Sequence, residues 1–116
     1  MSDTAQVFVV QRPAYYDRVK RGWVNKFDLS PAATHGKLHY LLRPGNVFRD
    51  RLAEAIKQLE AGLETFAPGD HILAVGDPVA ISAAVMIASR NSGGQVSILK
   101  FDKIENCYRP YPISLA

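Results

Sequence analysis

Two short apolar runs in the first half of the chain have the residue pattern of β-strands. The first, Val7-Phe8-Val9-Val10, is β-branched and aromatic, and the second spans residues 37–43 and stops at the turn pair Pro44-Gly45. Residues 14–36 between them show no sustained period, so we expect a long loop there with a helical turn after Ser30-Pro31. A loop of that length is uncommon in a small domain and is often functional.

A helix is predicted after the second strand, because apolar residues recur there at intervals of three and four. These residues are Phe48, Leu52, Ala55, Ile56, Leu59 and Leu63. Charged side chains occupy the other positions around the axis, a pattern typical of an amphipathic helix that packs on a sheet. Asn46 is placed to cap this helix, which we expect to run to about Thr65.

The second half of the chain continues with strands and one further helix. Residues 71–75 form a continuous apolar run, typical of a strand that is buried on both faces. Asp77 is placed to cap a helix over residues 79–90, which is apolar almost all round and is therefore expected to be buried. Residues 95–101 form the next strand, and residues 107–113 form a last strand whose two prolines confine it to an edge.

These elements predict an α/β fold, in the order β-β-α-β-α-β-β, that occupies residues 1–116 as one domain. We expect a single mixed sheet of about five strands with a parallel β-α-β-α-β centre, two helices and antiparallel edge strands. Crossovers between parallel strands are right-handed almost without exception, which places the helices against the sheet.

The composition indicates the cellular compartment in which the protein is expected. Cys107 is the only cysteine, so an internal disulfide is excluded and a reducing compartment is favoured. The amino terminus lacks the basic and apolar regions of a signal peptide, and no apolar stretch reaches the roughly 18 residues of a membrane span. We therefore expect a cytoplasmic protein that does not bind a membrane.

The predicted loop over residues 12–36 is the leading candidate for a binding surface. Residues 12–26 contain five cations and one carboxylate, Asp17, so this stretch has a net charge of +4. The net charge of the whole chain is only +3. Aromatic rings alternate with these cations, and rings among cations can stack bases or anchor a protein partner. The candidate residues are Arg12, Tyr15, Tyr16, Arg18, Lys20, Arg21, Trp23 and Lys26, with Phe27 as a further ring.

Packing of these rings over the open face of the sheet, with solvated cations, is the plainer interpretation of the same stretch. The functional interpretation is a non-enzymatic binding protein that acts on nucleic acid or on a host protein. This functional interpretation requires that the rings and the cations lie on one surface that is accessible to solvent.

An alternative ligand site is the turn Gly76-Asp77-Pro78, because ligands of open α/β sheets collect outside the carboxyl ends of parallel strands. Asp102 would approach Asp77 there if their strands are neighbours, an arrangement that could hold a cation or an acid/base pair. The function that corresponds to this site is a small enzyme or sensor that binds a nucleotide or another anion above Gly76. Against this, the Asp77 carboxylate would itself repel a phosphate, so its role as a helix cap is the stronger expectation. A third alternative is a structural or oligomeric protein that forms a homodimer through strand one or the last strand.

Other chemistry finds no support in the sequence. The three histidines, His35, His39 and His71, lack metal-ligand spacing, and the serines lack the context of a nucleophile. Phosphate-binding and dinucleotide-binding glycine motifs are missing too. We therefore expect no catalytic residue, no metal and no cofactor.

Several short segments resemble small proteins encoded by tailed bacteriophages. They lie mainly in the C-terminal half: Gly69-Asp70, Val75-Gly76-Asp77-Pro78, Lys100-Phe101-Asp102, Tyr108-Arg109-Pro110, and before them residues 30–42. The resemblance carries no assigned activity, and it implies a phage-encoded protein made in the host bacterial cytoplasm. Such proteins often redirect host machinery or handle phage nucleic acid, which is an association and not a property of these residues.

Overall fold

A computed structural model describes residues 5–26, 28–47 and 49–115. The strands are β1 (Gln6–Gln11), β2 (Ala14–Asp17), β3 (Gly22–Asn25), β4 (Lys37–Leu42), β5 (His71–Leu73), β6 (Gln95–Asp102) and β7 (Cys107–Ser114). The α-helices are α1 (Leu52–Gly62) and α2 (Pro78–Asn91), and short 3-10 helices span Ser30–His35 and Arg49–Arg51.

The main sheet has five strands in the order β4-β1-β5-β6-β7. The first four strands in that order are mutually parallel, and β7 runs antiparallel to β6 at the edge. This arrangement confirms the predicted mixed α/β sheet. The parallel part has four strands because β1, which the sequence did not place in the order, inserts between β4 and β5.

The position of β1 excludes it from any pairing across a dimer. Val7 faces Leu38 of β4 on one side and His71 of β5 on the other, so both of the strand's hydrogen-bonding edges are occupied. The edges of the sheet are β4 and β7, so of the two strands offered for a homodimer only the last strand, β7, lies at an edge.

The two faces of the sheet are covered differently. Phe8 and Val10 of β1 pack in the cluster that includes the buried side chains of α1 and α2. Val7 and Val9, which alternate with them along the strand, pack with Leu29 and Ala32 beside the first 3-10 helix. Right-handed crossovers explain why the connections cover different faces of the sheet. The connection from β1 to β4 runs toward one edge, whereas those from β4 to β5 and from β5 to β6 run toward the other edge, so they lie on the opposite face.

The segment that the sequence predicted as a loop contains regular structure. Strands β2 and β3 form an antiparallel hairpin, a separate two-stranded sheet, in which Tyr16 is paired with Trp23. Its turn is closed by the Asp17 carboxylate, which accepts hydrogen bonds from the backbone N–H groups of Val19 and Lys20 at 2.8 and 3.1 Å. The helical turn after Ser30-Pro31 is confirmed as the Ser30–His35 helix.

The first helix is shorter than its apolar pattern predicted. It begins after the Arg49–Arg51 turn with Arg51 at the N-cap position, so the prediction that Asn46 caps it is wrong. It ends at Gly62 and not near Thr65, and Phe48 lies outside the described residues. The local pattern placed the helix correctly, but its ends depend on the connections to β4 and β5.

The second helix begins as predicted. Asp77 is its N-cap and Pro78 occupies the first helical position. Only one stripe of the helix is buried, whereas Val79 and Met86 are exposed, so the expectation of burial all round is wrong. No helix in the described part of the chain has the length and the apolar character needed to cross a membrane.

Candidate functional site

The β2–β3 hairpin and the turn that follows β5 face each other across one groove of about 480 Å³. Arg12, Tyr15, Trp23 and Lys26 line one side of it, and the Gly76-Asp77-Pro78 turn lines the other. The two binding sites that the sequence offered as alternatives thus contribute to one surface feature. Its floor lies at the carboxyl ends of β1 and β5, from which the chain departs toward opposite edges of the sheet.

Three aromatic rings of the hairpin are accessible to solvent. Tyr15, Tyr16 and Trp23 are 46%, 53% and 47% exposed, so none of them belongs to the core. Tyr16 and Trp23 contact each other edge to face with their ring centroids 5.7 Å apart. The fourth ring, Phe27, lies outside the described residues.

The cations of the same segment are accessible as well. Arg18, Lys20, Arg21 and Lys26 are exposed, and Arg12 is half-buried. Arg12 is oriented by a 2.9 Å hydrogen bond from its Nε to the side-chain oxygen of Asn25. None of the five forms an ion pair within residues 5–26, 28–47 and 49–115, so their charge is not neutralised by the described carboxylates.

Gln11, at the end of β1, holds the floor of the groove together. Its side-chain oxygen accepts a hydrogen bond from the backbone N–H of Asp77 at 2.8 Å. Its amide nitrogen donates to the carbonyl oxygens of Arg43, at 2.8 Å, and of Gly45. One buried side chain therefore ties the turn after β4 to the turn after β5.

Sequence reasoning missed Gln11, although one local signal pointed to it. A polar residue that continues a run of buried apolar residues must find hydrogen-bond partners inside the protein. Its partners lie 32 to 66 residues away along the chain, so only the fold identifies them.

Gly76 serves the backbone geometry of the same turn. Its φ of +121° is a conformation that L side chains rarely adopt. A Cβ at this position would also lie 2.5 Å from the Cβ of Gln11, which is closer than such atoms approach. The glycine therefore allows the turn to pass directly over Gln11.

Asp77 is held as an anion at the wall of the groove. One of its oxygens accepts from the N–H groups of Val79 and Ala80 at 2.8 and 3.4 Å, and the other accepts from Val47 at 3.2 Å. The hydrogen bond from Val47, with the two from the helix, lowers the pKa of the carboxyl group below its usual value, although burial opposes the shift. A second anion at the start of α2 would be repelled by this carboxylate.

Asp102 does not line the groove. Its carboxylate pairs with Arg109 at 2.7 Å and accepts from the N–H groups of Ile104 and Glu105. Asp77 and Asp102 share no hydrogen-bond partner among those that the structure shows. Among the described residues, no group of three or more histidine, cysteine, aspartate or glutamate side chains could hold a metal ion.

Two of the histidines meet near the amino end of β5, away from the groove. The rings of His35 and His71 lie edge to face with centroids 5.7 Å apart. His35 donates through Nε2 to the Tyr108 carbonyl oxygen at 2.8 Å, and His71 is hydrogen-bonded to the Ser97 hydroxyl at 2.8 Å. These contacts account for both side chains as parts of the packing between the sheet and the first 3-10 helix.

A family model described as "Phage Pam3 gp32-like protein" matches residues 5–115, nearly the whole chain. No curated protein and no solved structure gave a significant match. The match bears out the resemblance to phage proteins.

Proposed function

Because the chain belongs to the phage Pam3 gp32-like protein family, we propose that it is a phage protein that binds single-stranded nucleic acid through the β2–β3 hairpin. We propose further that it binds without catalysing a reaction, in the cytoplasm of the infected bacterium. The observation that carries the proposal is the exposure of Tyr15, Tyr16 and Trp23 beside cations that form no ion pair with any carboxylate the structure describes.

Both parts of the surface suit an unpaired strand. Stacking of one base on an aromatic side chain contributes roughly 1–3 kcal/mol and tolerates any sequence, because every base has a flat face. The cations supply the phosphate contacts that track the backbone. In a duplex the base faces are already stacked on each other, so the rings of the hairpin favour single strands.

Fluorescence anisotropy with labelled single-stranded and double-stranded oligonucleotides tests the proposal. We expect preferential binding of the single strand, with an affinity that falls as salt rises because phosphate contacts release counterions. Replacing Trp23 by Ala should weaken binding roughly tenfold, the loss of about one stacked base. Arg21→Ala should reduce the slope of log affinity against log salt by about 0.7, the value for one phosphate contact on a single strand.

Tyr111→Ala is the matched control, because Tyr111 is 50% exposed on β7 and lies outside the groove. It should bind as the original protein does. Absence of binding at low salt, or an equal loss in Tyr111→Ala, would overturn the proposal. Capture of a host protein from nuclease-treated bacterial lysate that depends on Trp23, with no oligonucleotide binding, would overturn it in favour of a protein partner.

A further inference from the structure

We propose that the groove holds one nucleoside monophosphate unit of the bound strand. The base packs against Trp23, the phosphate lies at Arg12 and Lys26, and the edge of the base meets Asp77. This inference rests on the proposed function and adds to it a defined subsite and a preference among the bases.

The dimensions and the position of the groove suit such a unit. Its volume of about 480 Å³ lies within the range of roughly 300–1,000 Å³ that is usual for small-ligand sites. It lies between β1 and β5, where successive crossovers leave toward opposite edges of the sheet. Crevices at such points, outside the carboxyl ends of parallel strands, are where open α/β sheets bind ligands.

The charges across the groove fix the orientation of the unit. Arg12 is held in place by Asn25, and the backbone N–H of Lys26 donates to the carbonyl of Pro13 at 2.7 Å, so both cations belong to the hairpin side. Asp77 supplies a negative charge on the other side. A phosphate is therefore attracted toward the hairpin and repelled from the turn, which leaves the base edge to face Asp77.

Asp77 can discriminate among bases. An ionised carboxylate offers about four acceptor positions, and the backbone N–H groups of Val47, Val79 and Ala80 use three of them. The exocyclic amino group of cytosine or adenine can donate to the remaining position. In uracil and thymine the one donor of this edge, N3–H, lies between two carbonyl oxygens, which the carboxylate repels.

The neighbouring groove gives an internal comparison. It has a volume of about 390 Å³ and lies across the turn at residues 44–46, and its lining includes Arg43 and Arg51 but no aromatic ring among the described residues. A phosphate has partners there, whereas a base has no ring to stack on. Binding of the mononucleotide in this second groove would therefore contradict the proposal.

Titration of the ¹⁵N-labelled protein with CMP and UMP, followed by two-dimensional NMR, tests the inference. Trp23 is the only tryptophan, so its indole N–H gives one resonance that reports directly on the groove. We expect CMP to shift this resonance together with the backbone amides of Gly76 and Asp77, and to bind at least about fivefold more tightly than UMP. Ribose 5-phosphate should bind more weakly than either, because it lacks a base.

Asp77→Asn tests the role of the carboxylate while keeping a residue that caps helices well. The side-chain amide places an N–H donor where the carboxylate has an oxygen, so the preference for CMP over UMP should disappear or reverse. Asp102→Asn is the control, because Asp102 lies outside the groove, and it should keep the preference.

The outcomes separate the inference from the proposed function. Oligonucleotide binding without mononucleotide shifts at Gly76 would overturn the groove subsite and leave the function of the hairpin standing. Equal binding of CMP and UMP would overturn the assignment of Asp77. Mononucleotide binding without oligonucleotide binding would overturn the proposed function and point to a free nucleotide as the ligand, and failure of both would overturn both.

Discussion

Gly76 and Gln11 show how closely the backbone of one turn depends on a single side chain of a neighbouring strand. Gly76 has a positive φ, and a Cβ at this position would lie 2.5 Å from the Cβ of Gln11. The side chain of Gln11 in turn accepts from the N–H of the next residue, Asp77. The backbone conformation and the packing against Gln11 therefore each favour glycine at position 76.

Replacement of Gly76 by Ala should destabilise the protein, because the new Cβ adds backbone strain and overlaps with Gln11. Strain alone costs on the order of 1–3 kcal/mol at such a φ. Gly45→Ala is the matched control, since Gly45 has a φ of +118° but no atom within 4 Å of the added Cβ. Chemical denaturation should give the larger loss for Gly76→Ala, and equal losses would show that the overlap with Gln11 is relieved without cost.

The residues of the site differ in how far the sequence could predict them. Asp77 was identified as a helix cap because the signal is local: an aspartate followed by proline and an apolar run. Gln11 was not identified, since its partners belong to turns that are adjacent only in the folded chain. Tyr15 and Trp23 were chosen by their residue type, but their exposure depends on the hairpin, which the sequence did not reveal.

At the scale of elements, the helices were predicted from periodicity and the hairpin was not. Strands β2 and β3 have four residues each, too few for alternation to stand out from the surrounding polar residues. Their turn, residues 18–21, also lacks the glycine-containing pairs that mark tight hairpins. Asp17 closes the turn instead, and Arg21 adopts the left-handed conformation with a φ of +54°.

The hairpin should be the least protected regular element of the described chain. Two isolated strands are marginally stable in water, and this pair is a sheet of its own, separate from the five-stranded sheet. Hydrogen-exchange mass spectrometry should show faster exchange for residues 14–25 than for β1 or β6. A single-stranded oligonucleotide should slow exchange in the hairpin, and an unchanged rate at saturation would place the binding surface elsewhere.

At the scale of the whole molecule, the sequence predicted the class of the fold but not the strand order. Periodicity identifies elements one at a time, whereas the insertion of β1 between β4 and β5 depends on which apolar faces meet. That insertion creates the groove, because it brings the end of β1 beside the turn after β5. The two sides of the groove were thus predicted from the sequence as separate candidate sites, and the strand order places them next to each other.

The half-buried pair of His35 and His71 links the stability of the whole domain to pH. Burial lowers the pKa of His71 below its ordinary value, the nearby His35 lowers it further, and Asp70 opposes the shift. Ser97 is its hydrogen-bond partner on β6. The folded protein therefore favours the neutral imidazole more strongly than the unfolded chain does, in which a histidine titrates near pH 6.5.

The sign of the effect follows from this difference. As pH falls through about 6.5, the unfolded chain takes up a proton at His71 before the folded protein does, so the free energy of unfolding decreases until the folded protein is protonated too. Asp77 and Asp102 have lowered pKa values and contribute only at more acidic pH. The interval between pH 7.5 and 5.5 therefore isolates the histidine contribution from these carboxylates.

Thermal unfolding across this interval should show a melting temperature that falls as the solution becomes more acidic. His71→Gln removes the titrating group while keeping a side chain that can hydrogen-bond to Ser97, so its melting temperature should depend less on pH. The same fall in the variant as in the original protein would assign the pH dependence to other groups. A melting temperature of the original protein that stays constant from pH 7.5 to 5.5 would show that His71 is protonated in the folded state without cost.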